Sequence, residues 1–291
     1  MSLMYCTLTI AISLLLSSLA LGEEASYTFK TLDFPGASAT APAGINARGQ
    51  IVGGYLKGGR SYGFLLSKGR FQTIDVPEAF DTDARGINNR GHIVGIQLDE
   101  NRLATGFLFA NGTYTTIAFP GARETMAFGI NNHGEIVGAY SDESGRLHGF
   151  LLDEGNYKKI DYPKSRSTIA FGINAQGRIV GEYDGDHGFL RKNRRFTRID
   201  VPDSFSFTTA HGINARGQIV GFYDHSGGVS GFLLDEGEFT PLDVPDSHDT
   251  RAIGINEKGV IVGEYADTHG QTRGFVARKD QKSNHRGVAL Q

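Results

Sequence analysis

The tripeptide Gly-Ile-Asn occurs six times at nearly equal spacing, which restricts the fold more than any other feature of this sequence. The copies are separated by 42, 43, 43, 40 and 42 residues, and they begin at Gly44, Gly86, Gly129, Gly172, Gly212 and Gly254. A fixed period of this length is typical of proteins built by repetition of one supersecondary unit. The chain also contains 40 glycines in 291 residues, about twice the usual share of ~7%. This composition favours a turn-rich all-β protein.

Each repeat contains four short apolar runs bounded by glycine, asparagine or proline, and such runs predict four antiparallel strands. The first two runs flank an Asn-x-x-Gly turn, as at Asn46–Gly49, in which the asparagine can cap the turn and the glycine can adopt a left-handed conformation. The fourth run ends in Ile-Asp-Val-Pro, where the proline, which cannot donate to a ladder, should lead the chain out of the sheet. A four-stranded unit of about 42 residues is typical of a β-propeller blade.

The order of the runs predicts a closed ring. The first three runs occur six times, but the fourth follows only five of these sets, and its missing copy, Phe29 to Pro35, precedes the first Gly-Ile-Asn. We therefore predict an all-β, six-bladed β-propeller over residues 23–278, with four antiparallel strands per blade and a last blade closed by the N-terminal strand. An open solenoid is the alternative, although it would normally need capping repeats.

The repeat resembles a known bacterial unit. The run from Asn131 to Tyr140, followed by His148-Gly149-Phe150-Leu151, is similar to the extracellular HAF repeat, and the resemblance covers nearly all of residues 26–277. The second repeat departs from the pattern, with Gln97 where the other five have tyrosine. The resemblance implies an exported bacterial repeat protein, and it implies no particular activity or catalytic residue.

The two ends of the chain differ from the repeats. Residues 1–22 have the layout of a secretory signal peptide, with an uncharged apolar run too short to span a bilayer and small residues near Gly22. No basic residue precedes the run, so an uncleaved anchor is the alternative. The only cysteine, Cys6, lies in this segment, which would leave the mature protein without a disulfide or a cysteine nucleophile. We expect a secreted, periplasmic or cell-surface monomer without a stable membrane span, and a polar disordered tail over residues 279–291.

Charge and motifs exclude several function classes. A net charge of −3 and the lack of a basic run argue against a nucleic-acid partner. The sequence has no Gly-x-Ser-x-Gly, Ser-x-x-Lys, Walker or His-x-x-x-His motif, which argues against serine acylation, nucleotide hydrolysis and a helical zinc site. Acidic loops such as Ser141–Gly145 could hold Ca²⁺, but they lack the alternating carboxylates of a calcium loop. We therefore predict solvated turn acids and no cofactor, with Ca²⁺ as the alternative.

Residues that recur in every repeat are predicted to build the scaffold. The glycine of Gly-Ile-Asn should allow close approach of strands near the axis, and the aspartate of Ile-Asp-Val-Pro should cap a turn rather than act as an acid. A threonine four positions before each Gly-Ile-Asn should satisfy backbone groups, with a hydroxyl ring at the channel mouth as the alternative. The six copies are Thr40, Thr82, Thr125, Thr168, Thr208 and Thr250.

The first strand of each repeat, which holds Gly-Ile-Asn, is predicted to be the innermost strand of its blade. The long connections that precede these strands should gather on one face around the central channel, so the residues that vary between repeats at and just before these strands are the candidate functional residues. Repeats three apart face each other in a six-membered ring, so the candidate catalytic residues are the opposed pairs Glu124 with Asp249 and Asp83 with His211. The candidate ligand-binding residues are Arg85, Arg123, Phe128, His248 and Arg251.

Two functions remain open on these residues. We predict an exported binding or interaction protein that holds an extracellular small molecule, glycan or protein on the long-loop face. The alternative is an extracellular hydrolase or lactonase-like enzyme with acidic and histidine residues at the channel mouth, with or without Ca²⁺. The same charges could also form a salt-bridged rim of purely structural importance.

Overall fold

The computed structural model describes residues 26–280, and this part of the chain consists of β-strands, turns and connections. The strands are β1 (Tyr27–Leu32), β2 (Ala39–Ile45), β3 (Ile51–Lys57), β4 (Arg60–Ser67), β5 (Arg70–Ile74), β6 (Asp81–Ile87), β7 (Ile93–Leu98), β8 (Ala104–Ala110), β9 (Thr113–Ile117), β10 (Glu124–Ile130), β11 (Ile136–Ser141), β12 (Leu147–Asp153), β13 (Asn156–Ile160), β14 (Thr168–Ile173), β15 (Ile179–Tyr183), β16 (His187–Lys192), β17 (Arg195–Ile199), β18 (Thr208–Ile213), β19 (Ile219–His225), β20 (Gly228–Asp235), β21 (Glu238–Leu242), β22 (Asp249–Ile255), β23 (Ile261–Ala266) and β24 (Thr272–Lys279).

The strands form five sheets rather than the six separate sheets predicted. Four sheets have four antiparallel strands each, β2–β5, β6–β9, β10–β13 and β14–β17, and each is one sequence repeat. The fifth has eight strands in the order β1-β24-β23-β22-β20-β19-β18, with β21 paired to β20. The reason for the difference is one parallel bridge between Val229 and Asp249, which joins β20 to β22. On either side of this bridge the pairing within the sheet is antiparallel.

The N-terminal strand completes the last repeat, as the permuted order of the runs predicted. Strand β1 pairs with β24 in antiparallel register from Tyr27↔Lys279 to Leu32↔Gly274. The amide of Asp280 donates to the Ser26 carbonyl at 3.0 Å. Lys279, the first residue of the predicted tail, therefore belongs to the sheet, and Asp280 follows it with this one backbone hydrogen bond. The predicted signal peptide and the rest of the tail lie outside the described residues.

Apolar packing joins each repeat to the next. One cluster contains Val52 of the first repeat together with Ile93 and Phe107 of the second. The corresponding cluster at the chain ends contains Leu32 and Val262 of the last repeat with Phe64 of the first. The described residues form six such clusters. Burial of apolar surface between repeats, at about 25 cal/mol per Å², thus stabilises the ring where the two ends of the chain meet as well as elsewhere.

The Ile-Val-Gly and Gly-Phe motifs form one cross-strand unit. Gly138 of β11 lies opposite Phe150 of β12, and a Cβ atom at Gly138 would stand 2.7 Å from the phenylalanine ring. The same contact recurs at four other repeats. The phenylalanines are at most 1% exposed, and they are Phe64, Phe107, Phe150, Phe189, Phe232 and Phe275. In all six repeats a Cβ atom on this glycine would also stand 1.9–2.2 Å from a carbonyl oxygen of the neighbouring strand. The glycine is therefore required first by this backbone contact and then by the buried ring.

The six asparagines of Gly-Ile-Asn form a closed ring of hydrogen bonds. Each side-chain Nδ2 donates to the main-chain carbonyl of the asparagine in the next repeat, at 3.0–3.1 Å. The last bond runs from Asn256 to Asn46 and closes the circle. The side-chain oxygen also accepts backbone N–H groups of its own turn, as Asn46 Oδ1 does from Arg48 and Gln50. The predicted turn cap is confirmed, and the open solenoid is excluded by the closing bond.

The recurring threonines and glycines have the predicted structural roles. Each threonine hydroxyl accepts a backbone N–H from the residue that precedes the proline, at 2.9–3.1 Å. These hydroxyls are buried rather than arranged as a ring at the channel mouth. A Cβ atom on any glycine of Gly-Ile-Asn would stand 2.6–2.8 Å from a carbonyl oxygen of the adjacent innermost strand. Close strand approach therefore explains this glycine.

The aspartate of Ile-Asp-Val-Pro contacts a basic side chain instead of capping a turn. In four of its five copies the carboxylate lies next to the arginine or histidine at the start of the preceding strand of the sheet. The pairs are Asp33–Arg273 at 3.0 Å, Asp75–Arg60 at 2.8 Å, Asp161–His148 at 3.0 Å and Asp200–His187 at 3.3 Å. The predicted turn cap is wrong because the antiparallel register brings these basic residues within reach.

Candidate binding site at the central channel

A β-bulge shapes the first strand of every repeat, which is the innermost one. These strands are β2, β6, β10, β14, β18 and β22. The register of this strand shifts just before Gly-Ile-Asn, so that one residue stands outside the ladder. A bulge redirects a side chain relative to a regular strand. The bulged residues line a cavity of about 80 Å³, and they are Ala43, Arg85, Phe128, Phe171, His211 and Ile253. One position of the repeat therefore supplies six different side chains to the channel.

An apolar constriction divides the channel. The isoleucines of Gly-Ile-Asn are 7–9% exposed, and they line both this cavity and a second cavity of about 80 Å³ at the asparagine turns. Because the innermost strand runs from the long connection toward the asparagine turn, the bulged residues lie nearer the long-loop face. We call the cavity that they line, together with the strand residues beside it, the channel mouth.

Aromatic rings form one side of the channel mouth. The Phe128 and Phe171 rings meet edge to face with centroids 5.1 Å apart. The His211 ring stacks on Phe171 at 4.4 Å and an interplanar angle of 12°, and Phe222 follows with its centroid 6.4 Å from His211. These four residues, which we call the aromatic arc, offer flat apolar surface to a ligand.

Charged side chains form the other side. Arg85 pairs with Asp83, and Arg251 lies 3.6 Å from the Glu264 carboxylate and 3.9 Å from that of Asp249. We call Asp83, Arg85, Arg251 and Glu264 the charged group. Within the described residues, the buried Nε of Arg85 has no hydrogen-bond partner. An unsatisfied buried donor costs about 1–3 kcal/mol, so a rotation of the partly exposed Arg85 side chain that brings Nε to a ligand acceptor would be stabilising.

The channel mouth changes the acidity of its titratable groups. Burial, together with the smaller effect of the positive charge of Arg85, lowers the pKa of His211 to about 3. Part of the ring remains accessible, but protein groups replace most of its water. Burial raises the pKa of Glu264, against the opposing effect of Arg251. Burial also raises the pKa of Glu182, which accepts a hydrogen bond from the Thr209 hydroxyl at 2.8 Å.

Five of the nine predicted site residues lie at the channel mouth. Arg85, Phe128 and His211 line the cavity, while Asp83 and Arg251 contact its charged residues. Sequence reasoning missed several others, which are Phe171, Ile253, Phe222, Glu182 and Glu264. The sequence did indicate two of them, because Phe171 and Ile253 stand at the same position of the repeat as Arg85.

The predicted catalytic pair of Glu124 and Asp249 is not brought together as an acid and a base. The Glu124 carboxylate accepts the backbone N–H of Ala104 at 3.3 Å, and the Asp249 carboxylate accepts that of Val229 at 3.0 Å. Asp81, at the same repeat position, accepts the Ser61 N–H at 2.8 Å. The three carboxylates thus bind the preceding repeat because the first residue of the innermost strand faces it.

The remaining predicted ligand-binding residues lie outside the cavity. Arg123 and His248 belong to the long connections, and both are exposed. The backbone N–H of Arg123 donates to the Ser141 carbonyl at 3.0 Å. Their side chains are therefore part of the outer surface of the long-loop face rather than of the channel mouth.

The acidic loops close their own turns. Asp142 Oδ1 accepts backbone N–H groups from Ser144 at 2.9 Å and Arg146 at 3.0 Å. Hydrogen bonds from the Ser144 hydroxyl and from His148, together with these backbone bonds, hold the pKa of Asp142 below the usual range. Asp267 accepts from His269 and Gln271 in the same way. Over residues 26–280 there is no group of three or more His, Asp or Glu side chains that could hold a metal ion. The Ca²⁺ alternative stays a prediction.

Comparison with known proteins defines the fold class. No protein-family model matches the sequence, and no curated protein is significantly similar to it. TolB from Acinetobacter baumannii is 14% identical with a TM-score of 0.52, and the match covers 75% of this chain but only 60% of the TolB chain. A mutant of AofleA from Arthrobotrys oligospora is 10% identical with a TM-score of 0.57, and the match covers 88% of this chain and 87% of that one. At these identities the similarity shows the fold alone, and the chain is an all-β propeller.

The described residues also bear on membrane association. Between residues 26 and 280, no helix is both long and apolar enough to cross a bilayer.

Proposed function

We propose that this chain is an exported, six-bladed β-propeller that binds a glycan at its channel mouth without transforming it. We treat the two antiparallel halves of the eight-stranded sheet as the fifth and sixth blades, since only one parallel bridge joins them. The observation that carries the binding proposal is the aromatic arc, with its edge-to-face and stacked rings, next to Arg85, whose buried Nε has no hydrogen-bond partner in the described residues.

This combination suits a sugar ring. One face of a pyranose carries C–H groups that pack on aromatic rings, while its hydroxyls both donate and accept hydrogen bonds. Arg85 and Arg251 are donors, and the Asp83 and Glu264 carboxylates are acceptors. A cavity of about 80 Å³ is far smaller than the ~300 Å³ of a typical ligand pocket. A hydroxyl or hydroxymethyl group would therefore enter the cavity, and the ring would remain above the aromatic arc.

The hydrolase alternative has weaker support. Glu124 and Asp249 are occupied by backbone N–H groups, and a histidine with a pKa near 3 is too weak a base for efficient proton transfer near neutral pH. What favours an enzyme is Glu264, whose pKa is raised by burial. We include it in the test for this reason.

The test is calorimetric titration of the protein with a panel of monosaccharides and oligosaccharides, with mass spectrometry of each mixture for products. We expect binding without turnover, and a loss of at least tenfold in affinity for Arg85→Gln and Phe171→Ala. Arg123→Gln is the matched control, because this exposed arginine lies outside the cavity, and it should bind as the parent protein does.

The possible outcomes are distinct. A panel without a binder, or binding that Arg85→Gln leaves unchanged, would reject the proposed site. Product formation that disappears in Glu264→Gln would establish the hydrolase instead.

The location and oligomeric state form part of the same proposal. The apolar run of residues 7–20 supports export, and we propose that the mature chain is a monomer. Analysis of the mature N-terminus and light scattering of the secreted protein test these two points.

A further inference from the structure

A large groove lies where the two ends of the chain meet. It has a volume of about 780 Å³. One wall is formed by β1 and β24 of the last repeat, and the other by two turns of the first repeat, at Arg48-Gly49 and Lys68-Gly69. We call it the closure groove. It is separate from the channel mouth, since it contains none of the aromatic arc or charged group.

Five basic side chains line the closure groove. Lys30, Lys258 and Arg278 come from the last repeat, and Arg48 and Lys68 come from the first. All five are exposed, and within the described residues none of them forms an ion pair with an acid.

The acidic residue that lines the closure groove does not neutralise the five basic side chains. Asp33 lines the groove, but it pairs with Arg273 at 3.0 Å. Five like charges around one groove repel one another, which raises the free energy of the unoccupied site and favours an anion.

The repeat does not require these charges. At the junction of the first and second repeats, the residues that correspond to Lys30, Arg278 and Lys68 are Gln72, Ser67 and Asn111. The groove between the fourth and fifth repeats measures about 490 Å³, and its cations, Arg178 and Arg216, are accompanied by Asp235 and Glu236. The two turn positions are basic at that junction too, as Arg48 and Arg90, so Lys30, Lys68 and Arg278 are the cations that the closure adds to it.

The floor of the closure groove is apolar. Leu66, Phe71 and Val276 line it, and each keeps part of its side chain accessible. A neutral apolar ligand would leave the five cations without partners, and a purely polar polyanion would leave the floor uncovered.

We propose that the closure groove binds a small amphiphilic anion. Its apolar body packs on Leu66, Phe71 and Val276, and its carboxylate, sulfate or phosphate lies between the cations of the two walls. The volume falls within the 300–1,000 Å³ range of small-molecule sites.

Decanoate is the first probe, used below its micellar concentration in low-salt buffer, with 1-decanol as the neutral probe of equal length. We expect decanoate to bind in calorimetric titration and decanol to bind at least tenfold more weakly. The double variant Lys30→Gln/Lys68→Gln, which removes one cation from each wall, should weaken decanoate binding at least tenfold, or about 1.4 kcal/mol.

The matched control is Arg178→Gln/Arg216→Gln, which removes two cations from the other groove and should leave decanoate binding unchanged. Equal binding of decanoate and decanol, equal loss in both double variants, or no decanoate binding would each overturn the proposal. Binding of heparin in place of decanoate, abolished by Lys30→Gln/Lys68→Gln, would assign the groove to a polyanion and overturn it too. Arg85→Gln should not affect decanoate binding, so this test and the glycan test fail independently.

Discussion

The asparagine of each Gly-Ile-Asn uses its whole amide group. In five of the six copies the oxygen accepts two backbone N–H groups of its own turn, and in Asn214 it accepts that of Gln218. The nitrogen donates to the next repeat, as Asn131 does to the carbonyl of Asn174 at 3.1 Å. Asn131 is 4% exposed, so water cannot replace a lost bond. Aspartate has nearly the same shape but lacks the donor, and glutamine does not place its amide at the same distance from the backbone.

Asn131→Asp should destabilise the protein by about 2–3 kcal/mol, because it removes one of the two donors to the Asn174 carbonyl, which keeps only the Gly177 N–H, and sets a carboxylate against it. The new charge would also repel Glu135, which now accepts a hydrogen bond from the amide. Urea denaturation followed by circular dichroism measures the change. Asn101→Asp, at an exposed turn, is the control and should change stability by less than about 0.5 kcal/mol. Equal effects of the two variants would contradict the role of the ring.

His211 makes stability depend on pH in one direction. Its native pKa is about 3, whereas the unfolded chain takes up the proton near the ordinary value of 6.5. The unfolded state therefore binds more protons between these two values, so the stability that the neutral ring contributes is complete above about pH 6.5 and falls as the pH is lowered toward 3.

His211→Phe should remove this dependence while keeping the stack on Phe171. Relative to the variant, the parent protein should lose up to about 1.4 kcal/mol of unfolding free energy per pH unit below pH 6.5. Thermal and urea unfolding between pH 4 and 8 provides the measurement. The exposed His248→Phe serves as the control and should retain the parent slope. Parallel curves for the parent and His211→Phe would show that the native ring titrates normally.

At the level of the strand, the bulge and the following glycine act together. The bulge turns one side chain into the channel, and the glycine lets the adjacent innermost strand pass close by. A Cβ atom on Gly129 would stand 2.7 Å from the Phe171 carbonyl oxygen, and backbone cannot yield as a flexible side chain can. The bulged residue therefore depends on the glycine that follows it, since the bulged side chains line the channel only if the innermost strands lie close together.

Gly129→Ala should destabilise the protein by about 1–3 kcal/mol through overpacking. Gly49→Ala is an informative comparison, because Gly49 has a φ of +76° but open space around its Cβ position. That variant should lose only about 1 kcal/mol, from the left-handed conformation alone. Urea denaturation of both variants separates the two causes, and a smaller effect at Gly129 than at Gly49 would show that the strands can move apart.

At the scale of the whole molecule, contacts between the two ends of the described chain close the ring of repeats. Strand β1 covers the edge of β24, and Leu32 enters the apolar cluster of the first repeat. Without β1 the ring would have an exposed strand edge, which is a site for association between chains, and an uncovered part of its core.

A chain that begins at Gly36 should therefore lose its cooperative unfolding transition and associate. A synthetic peptide of residues 26–35, added in excess, should restore both the transition and the monomer, since it supplies the missing strand. Light scattering and thermal unfolding test this, with a peptide of the same composition in scrambled order as the control. An unchanged melting temperature in the shortened chain would show that closure by β1 contributes little.

Much of the architecture could be predicted from the sequence because the same local pattern occurs six times. Period, strand count, turn chemistry and the permuted fourth strand each depend on local patterns, such as Asn46 before Gly49 or the proline after Val76. The capping role of the asparagine and the structural role of Thr125 followed from the same logic. Repetition also showed which residues build the scaffold and left the variable ones as candidates.

The site itself depended on geometry that no local pattern contains. Asp249 and Arg251 are two residues apart, yet one carboxylate binds the preceding repeat while the arginine enters the channel mouth. The five cations of the closure groove are separated by up to 248 positions in the chain, and only the meeting of the first and last repeats makes them one surface. Side-chain direction after a bulge and contact between distant repeats are set by packing in three dimensions, so they became visible only in the folded ring.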